Sequence, residues 1–250
     1  MRIAVVGGIG FVGRHTVEIL RRAGHDTVVI ARSRGVDAST GRGLDEALAG
    51  ADAVVDVTTV PPADRETTQA LFATLTRNVL AAGRRAKVGH HVLLSIEGVD
   101  RLDGNAHDAG KRAQEALVVA GSVPYTILRA TQFHDFAGTV VGWTREADTA
   151  SVPPLLLQPV AVTDVADVLA EIAVGPPQQR PLDLAGPQPE DLVDMARRTL
   201  AARGESIRLI PSWRTGIFGV EAAGEVMLPD PSARRGPTTF DAWLARGSTR

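Results

Sequence analysis

Short apolar runs alternate with longer amphipathic stretches through the first half of this chain. The runs at 2–6, 27–31, 53–57, 91–95 and 125–129 have strand length, and the stretches 11–23, 64–82 and 109–120 carry apolar residues at helical spacing. Strands that alternate with helices in this way predict a parallel sheet covered on both faces, an α/β fold. Beyond residue 129 the rhythm loosens. Proline-containing connections stand at 152–159, 175–181 and 186–189, and helical patterns resume at 164–174, 190–202 and 239–245, the last with Thr238 or Thr239 as its N-cap.

The first strand runs straight into Gly7-Gly8-Ile9-Gly10-Phe11-Val12-Gly13, and a helical pattern opens at once. The glycines parse as GxGxxG through Gly8, Gly10 and Gly13, or as GxxGxxG through Gly7, Gly10 and Gly13. Either spacing supplies a tight turn, backbone without Cβ atoms, and free N–H groups at a helix N-terminus, which a dinucleotide pyrophosphate requires. A nicotinamide cofactor is the expected ligand. At the end of the second predicted strand stand Arg32, Ser33 and Arg34, where an acidic residue would otherwise meet the adenosine ribose. A guanidinium fork matches a phosphate, so this cluster favours NADP over NAD. Asp37 follows, within reach of the adenine amino group.

Composition narrows the options. At 250 residues with 44% hydrophobic content, the chain is long enough for one soluble unit with a sizeable core. It is read as a single domain over 1–250, with 1–132 mainly cofactor-binding and 133–250 mainly a small substrate-binding lobe with additional helices. A net charge of −2 gives no global attraction for nucleic acid, and the absence of cysteine excludes disulfides and thiolate chemistry. The six histidines show no metal-ligand spacing, so no metal is expected. No run is long enough to span a membrane and no signal-peptide layout opens the chain, so a cytoplasmic protein is expected. The expected partner is a small-molecule substrate, and a homodimer stays open.

Taken together, several stretches resemble the atypical, NmrA-like branch of the short-chain dehydrogenase/reductases. They are the glycine turn, Ala53-Val54-Val55-Asp56-Val57-Thr58, Val92-Leu93-Leu94-Ser95, the run from Val123 to Phe133, and Pro159-Val160-Ala161-Val162-Thr163-Asp164-Val165-Ala166. The resemblance implies an extended, doubly wound Rossmann sheet with a small C-terminal substrate lobe, and NADP lying along the strand carboxyl ends. It also implies that Thr58 and Thr59 line the cofactor cleft, that Ser95 stands near the nicotinamide, and that Ala130, Thr131 and Phe133 pack beside its carboxamide.

Catalysis is where the chain departs from the family. Family members pair a Tyr and a Lys as YxxxK on one helix, the phenol moving the carbonyl proton during hydride transfer. Here the equivalent stretch is His107-Asp108-Ala109-Gly110-Lys111, and the sole tyrosine, Tyr125, lies in a predicted strand. One reading puts His107 in the phenol's place, one helical turn before Lys111. Against it, Gly110 and the stretch Asp103-Gly104-Asn105 point to a helix that starts only near Lys111, leaving His107 in a loop. A second reading leaves Lys111 as the sole polar actor, binding the ribose or the substrate oxygen, unless it is a solvated helix charge. A third has no turnover and an NADP-binding sensor. With turnover, the expected reaction is hydride transfer to a small quinone, enone or ketone. His134 and Asp135 either touch substrate or cap a helix beginning near 135, and Glu97 is either a pocket carboxylate or an exposed loop residue. The tryptophans and phenylalanines look too scattered to form a stacking platform.

Overall fold

A computed structural model describes residues 1–101 and 105–247 of the chain. Along it run β1 (Arg2–Val6), α1 (Phe11–Arg22), β2 (Asp26–Ile30), α2 (Leu44–Leu48), β3 (Ala53–Asp56), α3 (Arg65–Arg85), β4 (His90–Ile96), α4 (Ala106–Ala120), β5 (Tyr125–Ala130), α5 (Phe136–Thr144), β6 (Arg145–Glu146), β7 (Thr149–Val152), β8 (Leu156–Leu157), α6 (Val162–Val174), β9 (Pro181–Ala185), β10 (Glu190–Asp191), α7 (Leu192–Arg203), β11 (Arg208–Pro211), β12 (Arg234–Arg235) and α8 (Phe240–Ala245). Seven parallel strands form the main sheet in the order β12-β9-β5-β4-β3-β1-β2. This is the doubly wound α/β architecture expected from the alternation.

Strand pleating divides the core between the two faces. Ile3, Val5, Val55 and Val92 point toward α1 and α6, whereas Ala4, Val6 and Val54 point toward α2 and α3. Both sides of each central strand are therefore apolar and buried, as a covered parallel sheet demands. Among the described residues no helix is long and apolar enough to cross a membrane.

The C-terminal half divides between two cores. Helix α6 packs against α1, and β9 and β12 extend the main sheet beyond β5. A second core gathers α5, α7 and α8 with the short strands β7 and β8, around Val140, Leu157, Leu192 and Phe240. Neither β9 nor β12 was legible in the sequence. Both are short, and Pro181 at the start of β9 reads as a turn residue although it opens an ordinary strand.

Helix α4 begins at Ala106, so the expectation of a start near Lys111 is corrected. Asn105 accepts the Asp108 N–H and the Asp108 carboxylate accepts the Asn105 N–H, each at 3.1 Å, a reciprocal cap stabilising the helix end by about 1 kcal/mol. Gly110 is no helix breaker here. A Cβ at that position would lie 2.2 Å from the Phe72 ring, so its bare backbone lets α3 and α4 pack closely. Asp103 and Gly104, which had weighed toward the later start, lie outside the described residues. At the C-terminus Thr239 caps α8, while Thr238 instead bonds the buried Asp164.

Candidate active site

A cavity of about 1030 Å³ runs along the carboxyl ends of β1 to β5, where open α/β sheets bind their ligands. Its floor starts at the glycine turn. Gly7 takes a left-handed conformation (φ +82°) and donates to Ile30 O at 3.0 Å, and Gly10 donates back to Gly7 O at 2.9 Å. A Cβ on Gly13 would stand 2.2 Å from Gly7 O, so the helix can approach the strand only with glycine there. Gly7, Gly10, Phe11 and Val12 line the cavity, whereas Gly8 does not. Gly7 and Gly10 thus face the cavity, while Gly8, whose Cβ would lie 2.9 Å from Val5 O, and Gly13 are packing positions.

Beyond the glycines, Arg32, Ser33 and Asp37 line one end of the cavity. Arg34 shares the exposed helical turn of Arg32 but lies outside the walls. Asp37 is held by Ser39, whose hydroxyl donates at 2.6 Å and whose N–H donates at 2.9 Å, and this holds its carboxyl below the usual range. Its carboxylate is fixed and charged.

The middle of the cavity brings together Thr58, Thr59, Ser95, His107, Lys111, Ala130, Thr131 and Phe133. Lys111 is no solvated charge, being only 5% exposed. Its ammonium donates to Gln114 Oε1 at 2.8 Å, Leu94 O at 2.9 Å and Thr58 O at 3.2 Å, and sits 5.1 Å from the centre of the Phe72 ring. Burial lowers its pKa to about 8, opposed by Asp56 and Glu115. His107 lies one turn earlier on the same helix, packed edge-on against Phe72 at 5.3 Å. Burial, and then the Lys111 charge, lower its pKa to about 4, so at neutral pH it is an uncharged imidazole. Ser95 is 3% exposed and its hydroxyl has no partner. A buried hydroxyl facing a cavity without a bond is a donor available to a ligand oxygen. Thr131 is already committed, donating to Gln158 O at 2.7 Å.

Helix α4 carries both His107 and Lys111, and Arg129 pins it to β5. The Arg129 guanidinium meets Glu115 with two bonds, at 3.0 and 2.6 Å, and Asp100 with a third at 3.2 Å. This clamp sets the distance from the helix to the strand ends.

The far end of the cavity is aromatic. Phe136, Trp143, Ile217 and Phe218 line it, with Phe136 edge-on to both Trp143 and Phe218 at 6.3 Å. The eight lining residues from 130 onward carry no charge. Sequence reasoning missed this cluster because its members lie far apart in the chain, and only the folding of α5 against the segment around 217 joins them.

The remaining candidates fall elsewhere. His134 is buried, with one ring nitrogen against Thr238 O at 3.0 Å, and Asp135 occupies the N-cap position of α5 without a capping bond. Neither lines the cavity. Glu97 is buried rather than exposed and pairs with Arg101 at 2.6 Å. Among the described residues no group of three or more His, Cys, Asp or Glu is arranged to hold a metal ion.

A family model described as NAD(P)H-binding matches residues 7–176. No curated protein matches the sequence. Among solved structures, the dTDP-4-dehydrorhamnose reductase of Bacillus anthracis in complex with NADP is similar, with a TM-score of 0.75 at 15% identity over 99% of both chains. A nucleoside-diphosphate-sugar epimerase from Staphylococcus aureus gives 0.76 at 17% identity, covering 98% of this chain and 99% of the other. The NADPH-dependent quinone oxidoreductase of Escherichia coli, complexed with NADPH, gives 0.76 at 16% identity over 98% and 99%. Identities this low establish the shared fold.

Proposed function

This chain belongs to the NAD(P)H-binding family, as its sequence resemblance implied, and on that footing we propose that it is an NADPH-dependent reductase of a small, uncharged, planar carbonyl compound, a quinone above all. The observation that carries this reading is one continuous cavity. It joins the glycine turn and Arg32 at one end, through Lys111 and Ser95, to an uncharged aromatic wall at the other.

The residues present fit the cofactor. Gly7, Gly10 and the N-terminus of α1 form a pyrophosphate cradle that a Cβ would obstruct, and Arg32 with Ser33 supplies donors for a ribose phosphate. When bound, a reduced nicotinamide supplies the hydride. Ser95 then offers its free hydroxyl to the acceptor oxygen, and the Lys111 ammonium stabilises the negative charge that develops there. Hydride plus one proton converts the carbonyl to a hydroxyl, and the proton enters through Lys111 or solvent. His107, neutral at pH 7, contributes shape rather than acid catalysis.

The aromatic end argues for the acceptor class. A nucleotide sugar carries a diphosphate, and none of the eight lining residues from 130 onward supplies a cation to pair with it. A flat apolar ring stacks there instead.

A second reading, an NADP-binding sensor without turnover, draws on one observation: all three Lys111 ammonium protons already have protein acceptors. Steady-state oxidation of NADPH with a soluble benzoquinone, beside an NADPH binding titration, separates the two. Turnover with a preference for NADPH over NADH supports the reductase. Tight binding with no turnover across quinones, enones and ketones supports the sensor.

A further inference from the structure

The chain is built almost without lysine. Of its 27 basic side chains only Lys87 and Lys111 are lysines, the rest arginines. Lys111 is buried, and its position is one where a compact ammonium is fixed by three acceptors. Two of these, Leu94 O and Thr58 O, are main-chain groups of β4 and of the loop after β3. The third is the side chain of Gln114, at 2.8 Å, on the same helix as Lys111.

Gln114 is itself fully buried, and its other end is engaged too. Its amide nitrogen lies 3.4 Å from Asp56 Oδ2 and 3.4 Å from Thr58 Oγ1. Asp56 in turn accepts the Thr58 N–H at 3.0 Å and the Thr58 hydroxyl at 2.7 Å on its other oxygen. A carboxylate on one side requires the amide nitrogen there, so the amide oxygen must face the ammonium. The chain Asp56, Gln114, Lys111 is thus oriented along its whole length, from the end of β3 to the middle of the cavity.

We propose that Gln114 is the positioning residue for Lys111: anchored by Asp56, it holds the ammonium at the cofactor cleft and keeps it charged there. The inference rests on reading Lys111 as the working cation of the cleft. The charged groups around Lys111 are Asp56 from β3 and Glu115 from its own helix, both favouring the ammonium, with Glu115 shared by Arg129. His107 on the same helix is neutral, and α3 presents the uncharged Phe72 ring. Burial opposes the charge, so the loss of one acceptor tips the balance.

Two lysines make the test direct. Isotope-labelled lysine gives two side-chain NMR signals, and Lys87→Arg identifies which belongs to Lys111. In the unaltered protein the Lys111 signal is expected to titrate with a midpoint near 8. Gln114→Met keeps the length of the side chain and removes the acceptor, and moves that midpoint down by about one pH unit. Gln114→Glu keeps the acceptor, adds charge, and moves it up by about one. A midpoint that stays in place or rises in Gln114→Met overturns the proposal, because an amide that merely fills space leaves the ammonium equally stable when a thioether of the same length replaces it; an unmoved midpoint in Gln114→Glu overturns it too, because a side chain in contact with the ammonium must transmit its added charge. If Gln114→Met fails to fold by circular dichroism, Gln114→Ala takes its place, a downward shift supporting the proposal and no shift overturning it. A parallel fluorescence titration with NADPH at pH 7.5 is expected to show about threefold weaker binding in Gln114→Met, as the charged fraction of Lys111 falls. Failure of the unaltered protein to bind NADPH would remove the reductase reading, while the lysine titration would still decide the role of Gln114.

Discussion

The two ends of the cavity are made of different material. At the glycine end the wall is largely backbone: a left-handed Gly7, Gly10 and the start of α1, brought close to β1 by a Gly13 that tolerates no Cβ, all within seven consecutive residues. At the aromatic end the walls are side chains from α5 and from a loop far along the chain, and Trp143 is 64% exposed. Backbone cradles are rigid and recognise one chemical group, here a pyrophosphate. Rings meeting edge-on around an open mouth set polarity and flatness without fixing one ligand. Under the proposed function, such a cavity would specify the cofactor more tightly than the acceptor. Lys111 and Ser95 stand where the two regimes meet.

The largest effect should come from breaking the rigid end. Gly13→Val drives a side chain into Gly7 O and is expected to weaken NADPH binding more than hundredfold, read by fluorescence titration on protein whose fold is verified by circular dichroism. Removing the cation at the junction comes next. Lys111→Met should lower kcat about 100-fold with a benzoquinone while the dissociation constant for NADPH changes no more than about tenfold. Arg32→Asp sharpens the contrast within the cofactor end, with NADPH affinity falling about 10- to 100-fold and NADH affinity nearly unchanged; equal losses would remove the phosphate-clamp argument. At the softer end, Phe218→Ala should raise KM for the quinone only about fivefold and leave NADPH binding alone.

The smallest effect is one of pH. His107 has its pKa lowered to about 4, so it stays neutral from pH 5 to 7 and imposes no inflection on kcat there. Lys111 is charged below about 8, and activity should fall as pH rises through that value. An inflection near 6.5 that disappears in His107→Asn would instead return the histidine to the role of acid.

The same contrast explains what the sequence revealed. Strand and helix alternation, and the glycines between 7 and 13, are local signals, and they located the main sheet and the turn at the floor of the cavity. The start of α4 was misread because Gly110 is a helix breaker by local propensity, and only its contact with Phe72 shows why a glycine belongs there. Phe136, Trp143 and Phe218 carried no signal, since nothing local says that residues so distant share a wall. Gln114 was equally silent. A buried amide reveals its purpose only through the groups at its two ends, Lys111 and Asp56.

At the heart of the proposed function, a cofactor site and an apolar acceptor site share one cleft around Lys111. Its most direct test is a single-turnover experiment that mixes the NADPH-loaded protein with a naphthoquinone, or with a dTDP-4-keto sugar, and follows absorbance at the nicotinamide band. The account predicts rapid loss of that band with the quinone and little change with the nucleotide sugar. Rapid loss with the nucleotide sugar and none with the quinone would contradict it.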